Sequence, residues 1–218
     1  MEGGMLLGVD TCGASGAVAL GRVRGDGIEL VGEVALAGGE FAARLVQAIA
    51  DLLAGAGATV GGLAGIVAVA GPGSFTGIRI GLAAVKAIAE AAGLPVVTVS
   101  RLALLAETAK APCAVLDAHR GQFYCGMYGD EAREMLLTAG EINSIGGLKG
   151  RVAVCEETVA QSLEELYGEP ELIRVVAPTA SDALRYSLAK WRAGELADVA
   201  SLDGYYLRGA DAKVSARS

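Results

Sequence analysis

Asp10 and Thr11 end the first apolar run of the chain, with Gly13 just beyond. A carboxylate beside a hydroxyl and a glycine, at the tip of a hairpin, could meet a phosphate-bound metal. The same residues could simply hold the turn through local hydrogen bonds, and sequence physics alone favours the turn. Asp117 ends another apolar run, where sites often form, and it could equally cap the turn that follows. His119 is the only histidine and sits in the polar turn Ala118-His119-Arg120-Gly121. A lone histidine there is more often a surface or hydrogen-bonding residue than a catalyst, and no Ser, Cys and His stand in a relation that makes a nucleophile and its base. Cys12, Cys113, Cys125 and Cys155 are far apart with no Cys-x-x-Cys. They read as buried small hydrophobes of a reducing compartment rather than a disulfide framework or zinc site. On these residues the chain is expected to hold no catalytic group and no metal.

The strongest local pattern is Gly71-Pro72-Gly73-Ser74-Phe75-Thr76-Gly77-Ile78-Arg79-Ile80-Gly81, which follows the apolar run Ile66 to Ala70 and leads into the helix formers Leu82 to Ala92. That order predicts a buried strand, a sharp corner and a helix capped by Ser74 or Thr76. Glycines before a helix N-terminus can present N–H groups to an anion. A Walker loop, however, ends in Gly-Lys-Ser/Thr where this chain has Gly77-Ile78-Arg79, and the dinucleotide spacing is not met either. A packing corner is the better reading. Gly77, Gly81, Ala84, Ile88 and Ala91 fall on one helical stripe. Each interior glycine costs roughly 1 kcal/mol against alanine, so two of them predict a close neighbour. That neighbour is either another element of this chain or a partner.

The other elements can be read around these residues. Met5 to Asp10, Gly16 to Leu20 and Ile28 to Leu36, the last after a Gly25-Asp26-Gly27 turn, predict a three-stranded antiparallel meander. Glu40 to Ala54 predicts a helix with Phe41, Leu45, Ala48 and Leu52 on one face and Ala42, Val46, Ile49 and Leu53 on the adjacent one. Its polar stripe is narrow, so the helix is either sandwiched inside the fold or partly covered by another protein. Val96 to Val99 predicts a strand, and Ser100 caps a helix through Ala109. In the second half Ala114 to Asp117, Gln122 to Tyr128 and Arg133 to Thr138 predict another meander. Strands at Val152–Cys155 and Leu172–Val176 and helices at Thr158–Tyr167 and Ser181–Ala193 follow. The expectation is two related α/β lobes, residues 1–103 and 104–218. The tail 203–218 is expected to lie on a lobe, the N-terminal one being a candidate, with Tyr206 and Leu207 as anchors.

Composition narrows the function classes. The chain has 218 residues, 53% hydrophobic and 20% charged, which fits a globular protein with a substantial core. A formal charge of −7 disfavours an independent nucleic-acid binder. Apolar stretches are interrupted within each window of about 20 residues that a membrane span needs, and the start lacks the basic region of a secretory signal. The expected location is the cytoplasm, with no membrane contact.

The block from Gly71 to Gly81 resembles the signature of the TsaB (YeaZ) family, subunits of bacterial tRNA threonylcarbamoyladenosine biosynthesis. Gly8-Val9-Asp10-Thr11, Asp117-Ala118-His119-Arg120-Gly121-Gln122-Phe123-Tyr124 and Tyr206-Leu207-Arg208 match in family order, so the resemblance spans nearly the whole chain. It implies a two-lobed fold of the actin/Hsp70/sugar-kinase (ASKHA) type. It also implies a part in forming N6-threonylcarbamoyladenosine at position 37 of tRNAs that read ANN codons. In that family the subunit is regarded as a non-catalytic scaffold. It dimerises with a TsaD-type catalytic subunit, is joined by a TsaE-type ATPase, and forms homodimers when alone. The resemblance therefore implies no cofactor of the chain's own, ATP and metal residing on the partner subunits, and only indirect contact with tRNA.

A partner surface on two helices of the first lobe fits the residues as well. The expected set is Phe41, Leu45, Ala48, Leu52, Gly77, Gly81, Ala84 and Ile88, two helices from each protomer making a four-helix interface. Asp10, Thr11 and Asp117 are candidates for a degenerate nucleotide site. Two positions depart from the family pattern: Phe41 stands where many relatives have histidine, and Gly204-Tyr205-Tyr206 stands where a proline is common. Two rival readings are an ATP-binding phosphotransferase using Asp10 and the glycine corner, and a metallopeptidase-like protein. The second is opposed by the lack of a histidine pair.

Overall fold

The computed structural model describes residues 3–145, 148, 150–167 and 171–207. Its contacts cluster into two units, one formed by Met1–Ser100 with Thr179–Tyr205, the other by Arg101–Pro178 together with Tyr206 and Leu207.

In the first unit β1 (Met5–Asp10), β2 (Ser15–Arg24) and β3 (Gly27–Ala37) form the expected antiparallel meander. β4 (Leu63–Val69) and β5 (Val96–Val99) extend it in parallel, giving the order β3-β2-β1-β4-β5. Three helices cover this sheet: α1 (Phe41–Gly55), α2 (Phe75–Ala92) and α6 (Ala180–Ala193).

Strand alternation decides which helix lies where, because successive residues point to opposite faces. On one face α1 seats Phe41 and Leu52 over strand glycines: a Cβ at Gly16 would lie 2.9 Å from Phe41 Cε1, and one at Gly32 would lie 2.8 Å from Leu52 Cδ1. On the other face α6 rests on β1 and β4. There a Cβ at Gly8 would come within 2.8 Å of Ala180 O, and one at Gly65 would run into the Trp191 ring. Trp191 is buried, and removing such a side chain costs about 3–5 kcal/mol. This seat explains why residues 179–205 group with the first hundred residues, whereas the sequence places 104–218 in the second lobe with only the tail from 203 as a candidate to return to the first. The chain beyond α6 then lines the β5 edge. Ala197 bridges Val96, Lys86 Nζ donates to Ala200 O at 2.7 Å, and Tyr205 N donates to Ala70 O at 2.7 Å.

The second unit repeats the plan. β6 (Cys113–Asp117), β7 (Gln122–Tyr128) and β8 (Ala132–Thr138) form a meander, and β9 (Val152–Val154) and β10 (Leu172–Arg174) add in parallel, in the order β10-β9-β6-β7-β8. Counted within each unit, both sheets run third, second, first, fourth, fifth. Val115, Cys125 and Val154 form a core with Val159 and Leu163 of α5 (Glu157–Tyr167) and Ile142 of α4 (Ala139–Ile145). Ala114, Leu116 and Tyr124 form the opposite core with Leu102 and Leu105 of α3 (Arg101–Ala109). Leu207 packs on that second core, while residues 208–218, the rest of the tail, lie outside the described residues. The fold is thus the expected two-lobed α/β type, each lobe a mixed sheet covered by helices.

Candidate functional site

The first unit leaves one face of two adjacent helices open. α2 starts where Ser74 Oγ accepts Gly77 N at 3.2 Å, and it stops at Gly93, whose φ of 65° favours glycine. Its inward side chains are Ile78, Leu82, Val85 and Ala89; those of α1 are Phe41, Leu45, Ala48, Ile49 and Leu53. The two helices touch each other and the sheet beneath. Outward, α1 exposes Ala42, Ala43, Val46, Ala50 and Ala54, with Val46 65% accessible. Outward, α2 exposes Ala83, Ala87 and Ala91, with Ile80, Ala84 and Ile88 half-buried. At the start of α2, Phe75 is 53% accessible and carries the Arg79 guanidinium 3.8 Å above its ring. Small apolar side chains on both helices let a further helix pair approach closely.

The eight residues expected at a partner surface divide between the two sides. Phe41, Leu45, Ala48, Gly77 and Gly81 are buried by the chain itself, Leu52 is half-buried over Gly32, and Ala84 and Ile88 border the open side. The width of the α1 apolar arc is satisfied from both directions: one part fills the core and the other, with Val46, faces out. The signal for the outward residues lay in that width, since one sheet surface cannot cover it all.

The small-residue stripe of α2 has an internal neighbour, the turn after β1. A Cβ at Gly77 would run into Thr11 O, and one at Gly81 into Thr11 Oγ1. Thr11 Oγ1 donates to Gly77 O at 2.8 Å, Ser74 N donates to Cys12 O at 2.8 Å, and Cys12 Sγ donates to Val69 O at 3.2 Å. Asp10 is 3% accessible, and its Oδ1 accepts Cys12 N at 2.8 Å, so its carboxylate holds the turn. Asp10 and Thr11 are therefore brought together with the glycine corner, as a clasp.

Asp117 belongs to the second unit. Its Oδ1 accepts His119 N at 2.7 Å, its Oδ2 lies 3.0 Å from His119 Nδ1, and its own N–H donates to Glu156 Oε2 at 2.7 Å. It caps the turn, and His119 is an exposed hydrogen-bonding residue of that turn. Cys12, Cys113 and Cys125 are buried thiols in no disulfide, and Cys155 is half-buried. Burial pushes the Cys113 thiol up, and burial followed by the nearby Cys113 pushes Cys125 up to about 12. Among the described residues no three His, Cys, Asp or Glu side chains are grouped to hold a metal ion, and no helix is long and apolar enough to cross a membrane.

Residues 35–144, a span that includes α1 and α2, match the family model described as TsaD: tRNA N6-adenosine threonylcarbamoyltransferase. An uncharacterized protein of Mycobacterium tuberculosis is 36% identical over 130 residues, 59% of this chain and 61% of that protein. The match thus spans about three-fifths of the mycobacterial relative. The Escherichia coli tRNA threonylcarbamoyladenosine biosynthesis protein TsaB is 27% identical over 188 residues, 78% of this chain and 81% of that protein. Among solved structures, YeaZ from Pseudomonas aeruginosa is similar with a TM-score of 0.70 at 26% identity, covering 94% of this chain and 100% of that one.

Proposed function

This chain belongs to the TsaB (YeaZ) family, and on that premise we propose that it is the scaffold subunit of the complex that forms N6-threonylcarbamoyladenosine at position 37 of ANN-decoding tRNAs. In this reading it performs no chemistry itself. It docks a TsaD-type catalytic subunit with the open face of α1 and α2, and a TsaE-type ATPase joins the pair. ATP and metal sit on those partners, tRNA is met only through them, and the assembly works in the cytoplasm. Alone, the chain pairs with a second copy through the same face.

One observation carries the proposal: two adjacent helices leave Ala42, Ala43, Val46, Ala50 and Ala54 exposed on α1 and Ala83, Ala87 and Ala91 exposed on α2, in stripes that run beside the polar Arg44, Gln47, Asp51 and Glu90. Surface helices ordinarily turn charges outward, and an exposed apolar patch of this kind marks an interaction site. Alanine-rich faces lower the distance at which two helix pairs can pack, which suits a four-helix interface. The Phe75–Arg79 stack adds the aromatic and arginine pairing that anchors many interfaces.

Mixing the purified chain with the TsaD-type subunit of the same genome on a sizing column tests the reading. A stable complex that elutes ahead of either protein is expected. Separate elution of two folded proteins would overturn it. Calorimetry with ATP and magnesium on the chain alone is expected to show no binding, and tight binding would favour the phosphotransferase reading instead.

A further inference from the structure

Thr11 lies beneath α2, on the side opposite the open face. It is 1% accessible, so a docked protein cannot touch it. Its hydroxyl donates to Gly77 O at 2.8 Å, and its own carbonyl and hydroxyl oxygens occupy the spaces that side chains at Gly77 and Gly81 would need. The helix backbone therefore rests directly on Thr11 at two successive turns, with no side chain between them to absorb a change. The next residue fixes the helix start: Ser74 N donates to Cys12 O at 2.8 Å, while Cys12 Sγ donates to Val69 O at 3.2 Å and ties the turn back to β4. Packed interiors transmit such displacements because they leave little free volume. Ala83 and Ala87, on the far side of the same helix, would move with it.

We infer that Thr11 is a positioning residue that sets the height and tilt of α2, and through them the fit of the open face to its partner. The inference rests on the docking reading above. It also assigns a role to the Asp10-Thr11 pair that involves no nucleotide: Asp10 holds the turn through Cys12 N, and Thr11 supports the helix.

The test pairs two substitutions. Thr11→Val exchanges the hydroxyl for a methyl group where there is no spare room, removing the hydrogen bond to Gly77 O and pressing on Gly81. Thr11→Ser keeps the hydroxyl and drops only the methyl. Affinity for the TsaD-type subunit is measured by calorimetry, with thermal unfolding of each variant alongside. Thr11→Val is expected to bind about tenfold more weakly while remaining folded, and Thr11→Ser to bind near the wild-type level. Should Thr11→Val not fold, Thr11→Ala removes the hydroxyl without added bulk and carries the same expectation. Wild-type affinity in the hydroxyl-lacking variant, or affinity that simply follows melting temperature in both variants, would overturn the inference. Failure of the wild-type chain to bind would overturn the docking reading, and this inference with it.

Discussion

Glu33 Oε1 accepts the backbone N–H of Ser181 at 2.9 Å, joining β3 to the first turn of α6 across 148 positions of sequence. A carboxylate there satisfies a helix N–H that has no intrahelical partner and favours the positive end of the helix dipole. It acts beside the capping box in which Thr179 N donates to Asp182 Oδ2 at 2.9 Å. Glu33→Ala should destabilise the protein by about 1–2 kcal/mol, and Glu33→Gln, which keeps an acceptor, by less. Urea unfolding of the two variants measures the difference; equal midpoints for Glu33→Ala and wild type would remove the contact from the account.

Gly81 separates internal from external packing on α2. Alanine there gains roughly 1 kcal/mol of helix propensity. It also places a methyl where Thr11 Oγ1 stands, and overpacking of that kind costs about 1–3 kcal/mol. The second effect should win, so Gly81→Ala lowers the melting temperature and Gly81→Arg yields little soluble protein. A folded, soluble Gly81→Arg chain would show that α2 is not seated on Thr11.

Cys125 gives the fold a pH dependence on the alkaline side. Its thiol ordinarily ionises at 9.0, and burial with Cys113 nearby raises that to about 12 in the folded chain. The folded state therefore keeps the proton that the unfolded state releases first. The stabilisation is whole below pH 9.0 and is lost as pH climbs through about 12. Between about pH 8 and pH 10 the unfolding midpoint should fall more steeply for wild type than for Cys125→Ala. Parallel slopes would contradict this.

Arg120 has φ 57° and follows His119 at φ 60°, in the hairpin tip that joins β6 and β7. That left-handed region costs an ordinary residue roughly 1–2 kcal/mol, and asparagine tolerates it better. Arg120 is exposed. Arg120→Asn should therefore raise stability by about 0.5–1 kcal/mol, read as a higher thermal midpoint. An unchanged or lower midpoint would mean that the side chain makes up the difference elsewhere.

Much of the architecture was legible because strand and helix periods differ. Both meanders and a capped helix start, open between Ser74 and Thr76 and found at Ser74, follow from residue types within a few positions of each other. The place of α6 was not legible in that way. Its seat is made by Gly8 and Gly65, residues far from it in the chain, and its anchor by Glu33, so no local pattern reports it. The two sides of α1 and α2 were half legible. Small residues announce that something comes close, but Thr11, which comes close to Gly77 and Gly81, lies 66 positions before the first of them. Only the three-dimensional arrangement separates that inner stripe from the outer one bearing Ala83. Asp117 was open between a site residue and a turn cap, and its bonds to the His119 backbone and ring place it in the turn.

The central claim is that the outer face of α1 and α2 receives the catalytic subunit, and Ala83→Arg tests it most directly. Ala83 is exposed, so the arginine should leave the melting temperature of the isolated chain unchanged. Titrated with the TsaD-type subunit, the variant is predicted to bind at least about a hundredfold more weakly than wild type, since a long charged side chain would stand where two helices must meet. Wild-type affinity in a folded Ala83→Arg protein would contradict the account.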